Sequence, residues 1–212
     1  MPKRMNFSTQ QKPVAHINRG TAYRGSNLKM RTTSLLIMVF LFTLLSVSTA
    51  STAPPPVHTV EHVDVPRYLG KWYEIARYPN RFQRKCQSDT TAVYTLRHDG
   101  KVQVVNSCRK KHGTITVARG KAKVVDKKTN ARLKVTFFWP FYGDYWIIGL
   151  SSDYQYAVVG DPRRKYLWIL SRTPQMAETT YREVLQLIEN QGYDPAKLMK
   201  TKQSSEITDP RS

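Results

Sequence analysis

The sequence predicts an all-β domain: an antiparallel sandwich or barrel of about eight short strands, followed by one C-terminal helix. Three observations carry this. Runs rich in β-branched and aromatic residues recur between residues 68 and 170, joined by hairpin-sized links. No helical pattern separates them, which excludes an alternating βαβ arrangement. A single apolar stripe of helical period follows the last run.

The chain has 212 residues, and its first part reads as targeting rather than structure. Residues 1–29 are basic and polar without an apolar period, an upstream segment of doubtful status, with Met5 or Met30 as alternative starts. Residues 30–53 read as a secretory signal. Arg31 precedes the apolar run Leu35–Leu45, and the small residues Ser48-Thr49-Ala50 and Ser51-Thr52-Ala53 end it. That run is short for a bilayer span. Residues 54–64 open with Pro54-Pro55-Pro56 and read as a stiff linker. The remaining length suits one core.

A turn at Val65-Pro66-Arg67 leads into a first strand, Tyr68 to Ala76. Thr90 to Leu96 is the second, and Lys101 to Ser107 alternates as the third. Arg97-His98-Asp99-Gly100 between them is a hairpin signal. Thr114 to Val125 holds one or two strands, broken at Gly120. Ala131 to Phe138 alternates Leu133, Val135 and Phe137 against Arg132, Lys134 and Thr136. Tyr145 to Leu150, Tyr156 to Gly160 and Tyr166 to Leu170 complete the set. Turns fall at 141–144, 151–153 and 161–164. The helix starts from a Thr173 cap with Pro174 in its first turn, and Gln191-Gly192 ends it. Tyr181, Val184, Leu185 and Ile188 form its stripe, which should pack outside the sheet. Residues 202–212 read as a mobile polar tail.

The net charge is +19. Residues 1–53 hold seven of the 34 Lys/Arg and none of the 15 Asp/Glu, so the rest carries 27 against 15, a net +12. Such a balance favours anionic partners, although the charges are scattered as on a solvated face. The two cysteines, Cys86 and Cys108, lie beyond the leader and meet an oxidising compartment. Folding at the 97–100 turn brings them to one strand pair. A disulfide there contributes about 3 kcal/mol; free thiols are the alternative.

Enzyme readings find little. The histidines are His16, His58, His62, His98 and His112. His58 and His62 have a metal-compatible helical spacing, but the prolines and valines around them argue against a helix. No nucleophile-elbow, zinc-protease or phosphate-loop pattern occurs. Glu74 is the carboxylate expected to point inward, held by hydrogen bonds near the floor; a general-base role is the alternative.

Gly70-Lys71-Trp72-Tyr73-Glu74-Ile75-Ala76-Arg77 resembles the first lipocalin motif. Asp153-Tyr154-Gln155-Tyr156-Ala157-Val158-Val159 resembles the second, and Leu167-Trp168-Ile169-Leu170-Ser171-Arg172-Thr173-Pro174 the third. Phe137-Phe138-Trp139-Pro140-Phe141-Tyr142-Gly143 is similar to the bacterial lipocalins, the branch near apolipoprotein D and the temperature-induced lipocalins. The resemblance covers residues 65–201. It implies an eight-stranded antiparallel up-and-down β-barrel with one C-terminal α-helix. Gly70, Trp72 and Arg172 would form its floor, the guanidinium lying on the indole.

The resemblance also implies a non-enzymatic carrier of a small hydrophobic ligand, a fatty acid, lysophospholipid or similar amphiphile, serving membrane maintenance. The binding candidates are Tyr78, Phe82, Tyr94, Phe137, Trp139, Phe141, Tyr142 and Tyr145, with Trp139 and Phe141 at the rim. No cofactor and no metal is implied. Peripheral contact with an anionic membrane and a homodimer are left open; nucleic acid is not expected. Residues 1–85 contain no cysteine, so a periplasmic or secreted protein without a lipid anchor is expected. The alternative is a basic envelope protein that binds anionic headgroups or polymers through its surface.

Overall fold

A computed structural model of the protein describes residues 54–204. The expected signal at 30–53, the segment 1–29 and residues 205–212 lie outside the described residues. Eight antiparallel strands close into a barrel: β1 (Gly70–Arg77), β2 (Cys86–Leu96), β3 (Val102–Lys110), β4 (Ile115–Val124), β5 (Arg132–Phe138), β6 (Phe141–Leu150), β7 (Tyr156–Gly160) and β8 (Leu167–Ser171). Each pairs with its neighbour in sequence, and β1 pairs with both β8 and β2, which closes the ring. A short helix α1 (Val65–Tyr68), capped by Asp64, precedes β1. Helix α2 (Glu178–Asn190) follows β8. A ninth strand, β9 (Met199–Lys200), pairs with β1 at Ala76 and Arg77.

Two apolar cores result. The first fills the barrel, with Trp72, Tyr94, Val104, Leu133, Ile147 and Val159 among its members. The second lies between the barrel wall and α2: Tyr181, Val184 and Ile188 meet Ile148, Val158 and Ile169. Alternation along each strand sorts its residues between the two.

Several local expectations are corrected. The Pro-rich segment 54–64 lies along the barrel. Val57 and Val63 are buried, and the Val60 and Val63 amides donate to Ile147 O and Thr129 O. Burial of these two valines outweighs the linker composition. The turn expected at 141–144 is strand: Phe138 pairs with Phe141, so the reversal is at Trp139-Pro140. Asp144 serves the ladder, accepting an ion pair from Lys134 at 2.7 Å. Strand β4 runs unbroken through Gly120, where a Cβ would lie 2.8 Å from the Phe137 ring. Glycine makes room there for an aromatic.

Helix α2 starts at Glu178 with Ala177 as cap, not at Thr173. The Thr173 hydroxyl donates to Gln175 O at 2.6 Å, which spends it on a tight turn. Residues 201–204 of the tail are held to the barrel. Gln203 Nε2 donates to Glu74 O and Thr90 O, and the Ser204 amide donates to Asp89 Oδ1. Cys86 and Cys108 form a disulfide across the β2–β3 pair, with a Cα–Cα distance of 5.6 Å.

Candidate functional site

The floor follows from three residue types. Gly70 has φ +93°, a region open to glycine, and a Cβ there would touch the Arg172 guanidinium at 3.4 Å. Trp72 is fully buried and donates its indole N–H to Tyr68 O at 2.8 Å. The Arg172 guanidinium lies 3.8 Å from the centre of the Trp72 rings. It also donates to the carbonyls of Arg67 (2.7 Å), Leu69 (2.9 Å) and Lys71 (3.0 Å). The cation therefore ties α1 and β1 to β8 at one end of the barrel.

Above the floor lies a cavity lined by Val63, Val102, Val104, Leu133, Val135 and Ile147, with Tyr68, Tyr94 and Tyr145. The three phenols hydrogen-bond one another: Tyr145 Oη is 2.8 Å from Tyr68 Oη and 2.9 Å from Tyr94 Oη. Burial raises the pKa of all three, that of Tyr94 to about 12, so they remain neutral hydroxyls. The cavity measures about 20 Å³. That is the scale of one water, well below the hundreds of Å³ of a typical ligand site. The expected room for an acyl chain is absent from this conformation, because three aromatic rings occupy it.

Of the eight aromatic candidates, Tyr94 and Tyr145 line this cavity. Tyr78 packs outside the barrel against Tyr193, its hydroxyl donating to Asp194 O. Phe82 is exposed beside Tyr166. Phe138, Trp139 and Phe141 are 80, 79 and 74 % exposed at the β5–β6 tip. Phe137, Trp139 and Tyr142 instead border a separate groove of about 430 Å³, together with Lys101, Arg119, Lys121 and Lys123. The Lys123 ammonium lies 5.1 Å from the Tyr142 ring centre. Sequence reasoning missed Tyr68, which reads as strand but sits in α1, and the alternating Val102/Val104 and Leu133/Val135 pairs that form the wall.

Glu74 is buried, but its partners are not at the floor. Gln83 Nε2 and Thr201 Oγ1 both donate to its carboxylate at 2.5 Å. Burial pushes its pKa up, against those two bonds and Arg77. Among the described residues no cluster of His, Cys, Asp or Glu is arranged to hold a metal. No helix there is long and apolar enough to cross a membrane.

A family model described as a lipocalin-like domain matches residues 63–203. Temperature-induced lipocalin-1 of Arabidopsis thaliana is 44 % identical over 156 residues, 70 % of this chain and 83 % of that protein. Outer membrane lipoprotein Blc of Escherichia coli (strain K12) is 43 % identical over 157 residues, covering 73 % and 88 %. Mouse apolipoprotein D is 33 % identical over 162 residues, covering 71 % and 82 %. Insecticyanin from the tobacco hornworm Manduca sexta shares the fold at a TM-score of 0.58 and 22 % identity, covering 73 % of this chain and 87 % of its own.

Proposed function

The chain belongs to the lipocalin family, a family of binding proteins for small hydrophobic ligands, and from that premise we propose that its barrel carries one acyl-chain amphiphile, a fatty acid or lysophospholipid. The observation that carries this reading is the wall: beyond the three mutually bonded phenols, the interior cavity is lined almost wholly by aliphatic side chains. Such a lining favours hydrocarbon by about 0.8 kcal/mol per buried methylene. The floor is shut by Trp72 and Arg172, so entry is from the opposite end. Because the resting cavity is small, uptake requires the tyrosine rings to swing aside, and that movement subtracts from the affinity. The disulfide supports an oxidising, extracytoplasmic location.

Titration with a fluorescent fatty-acid probe tests the reading, with saturable quenching of tryptophan at micromolar probe expected. Tyr94→Ala, which removes a ring from the interior, should tighten or speed probe uptake. No saturable quenching in either protein would refute the carrier role.

A second reading rests on the outer surface. The exposed aromatic tip of β5–β6 adjoins a groove flanked by Lys101, Arg119, Lys121 and Lys123. Aromatic side chains at headgroup depth beside cations suit an anionic bilayer. Vesicles of mixed anionic and zwitterionic lipid should pull the protein down at low salt and release it as salt rises. Phe138→Ala with Trp139→Ala should abolish pull-down without lowering Tm. Unchanged pull-down by the double variant would dismiss this surface.

A further inference from the structure

The inner face of β1 carries one charged pair above the floor. Register across β8 sets Glu74 against Leu170 and Arg77 against Trp168, with a bulge between Glu74 and Ala76. Leu170 belongs to the interior core and Trp168 packs against it, whereas Ala76 and Tyr78 belong to the outer core. Arg77 therefore points into the barrel. It stands seven residues along β1 from Gly70, roughly 23 Å of extended strand from the floor. The β1–β2 connection that supplies Gln83 lies at the same end, so Arg77 sits beneath the mouth.

Among the described residues Arg77 is the only buried basic side chain. Its Nε is buried without a hydrogen-bond partner. Its Nη1 lies 3.6 Å from Glu74 Oε1, an ion pair longer than a hydrogen bond. The Glu74 and Gln83 side chains serve other donors. Thr201 and Gln83 bond the two Glu74 oxygens, and Gln83 Oε1 accepts the Trp168 indole N–H at 2.8 Å. A buried guanidinium edge with an unfilled donor is costly, and such groups call for an explanation.

We propose that Arg77 is the headgroup anchor of the barrel: it takes the carboxylate of a fatty acid whose tail runs down the interior toward Tyr94 and Tyr145. The unfilled Nε and an adjacent guanidinium N–H match the two oxygens of a carboxylate in a planar fork. A neutral hydroxyl head offers one weaker, uncharged bond and fills at most one of the two donors. The interior thus selects acid over alcohol at equal tail length. This inference rests on the carrier reading and adds the headgroup and its partner to it.

The test is displacement of the fluorescent probe by palmitate and by 1-hexadecanol at neutral pH, on the protein with its leader removed. The wild type should bind palmitate about tenfold or more tightly than the alcohol, the worth of a charged hydrogen-bonded pair. Arg77→Met should erase that preference while leaving hexadecanol affinity within about twofold, and Arg77→Lys should keep part of it. Equal binding of both ligands by the wild type overturns the anchor and leaves the carrier standing. This arm needs no variant to fold. A parallel loss of both ligands in Arg77→Met, with Tm unchanged, also overturns it. Binding of neither ligand by the wild type refutes carrier and anchor together.

Discussion

Arg172→Ala isolates the device that shuts the barrel. The guanidinium contributes a cation–π contact to Trp72 at 3.8 Å and bonds to the carbonyls of Arg67, Leu69 and Lys71. The first is worth about 1–2 kcal/mol in a partly desolvated setting. Each charged hydrogen bond contributes about 1.5 kcal/mol or more, but the freed carbonyls border solvent and recover part of it from water. The expected loss is about 3–4 kcal/mol, roughly 10 °C in Tm for a domain of this size. Arg172→Lys keeps the charge and loses the fork, so about half of that loss is expected. Urea unfolding followed by tryptophan emission reads both, since Trp72 reports on its own environment. A loss below about 1 kcal/mol for Arg172→Ala would show that the floor is held by packing alone.

Tyr145→Phe removes the central hydroxyl and strands those of Tyr68 and Tyr94, costing about 2–3 kcal/mol in urea unfolding; the triple Tyr→Phe variant at 68, 94 and 145 should be less destabilised than the single one, because no polar group is then left unpaired. Burial would raise the Asp89 pKa, but Arg109, Ser204 and Ser88 hold it down at about 2. Its contribution is thus present above pH 4 and lost as pH falls toward 2, and Asp89→Asn should flatten that acid limb of the stability curve. Glu74 has the opposite sign: burial raises its pKa, so its contribution to stability is largest below the ordinary carboxylate range and fades as pH rises through the raised value. A Cβ at Gly160 would fall 2.2 Å from Tyr193 Oη, which donates to Asp161 O, so Gly160→Ala should lower Tm by several degrees, about 2 kcal/mol. Replacing both Cys86 and Cys108 by serine should cost about 3 kcal/mol, read as a shift in urea midpoint.

Much of the architecture was legible from residue order. Period-2 alternation over Leu133, Val135 and their neighbours announced strands with one buried face, and the stripe of Tyr181, Val184 and Ile188 announced a helix on the barrel's outside. Gly70, Trp72 and Arg172 were legible as a unit through the resemblance to the first and third lipocalin motifs, and the guanidinium does lie on the indole. The aromatic candidates fared differently. Trp139 and Phe141, expected at the rim, lie exposed at the β5–β6 tip, whereas Phe82 and Tyr78, also candidates for the ligand site, lie outside the interior. Composition reports what a side chain prefers, not which loop carries it.

The sequence by itself determined an antiparallel sheet of about eight strands and set the two cysteines on one strand pair, because pattern and spacing are local or pairwise facts; the floor was implied by the lipocalin motifs, and the ninth strand and the Cys86–Cys108 bond came with the fold. Only the tertiary structure decided how full the barrel is. Tyr68, Tyr94 and Tyr145 lie far apart along the chain, and it takes ring closure to set their hydroxyls within 3 Å of a common centre at Tyr145. Ring closure likewise turns Arg77 inward with one donor unfilled. Free volume and unmet hydrogen bonds are properties of the packed whole, set by every wall residue at once, and no single stretch of the chain encodes them.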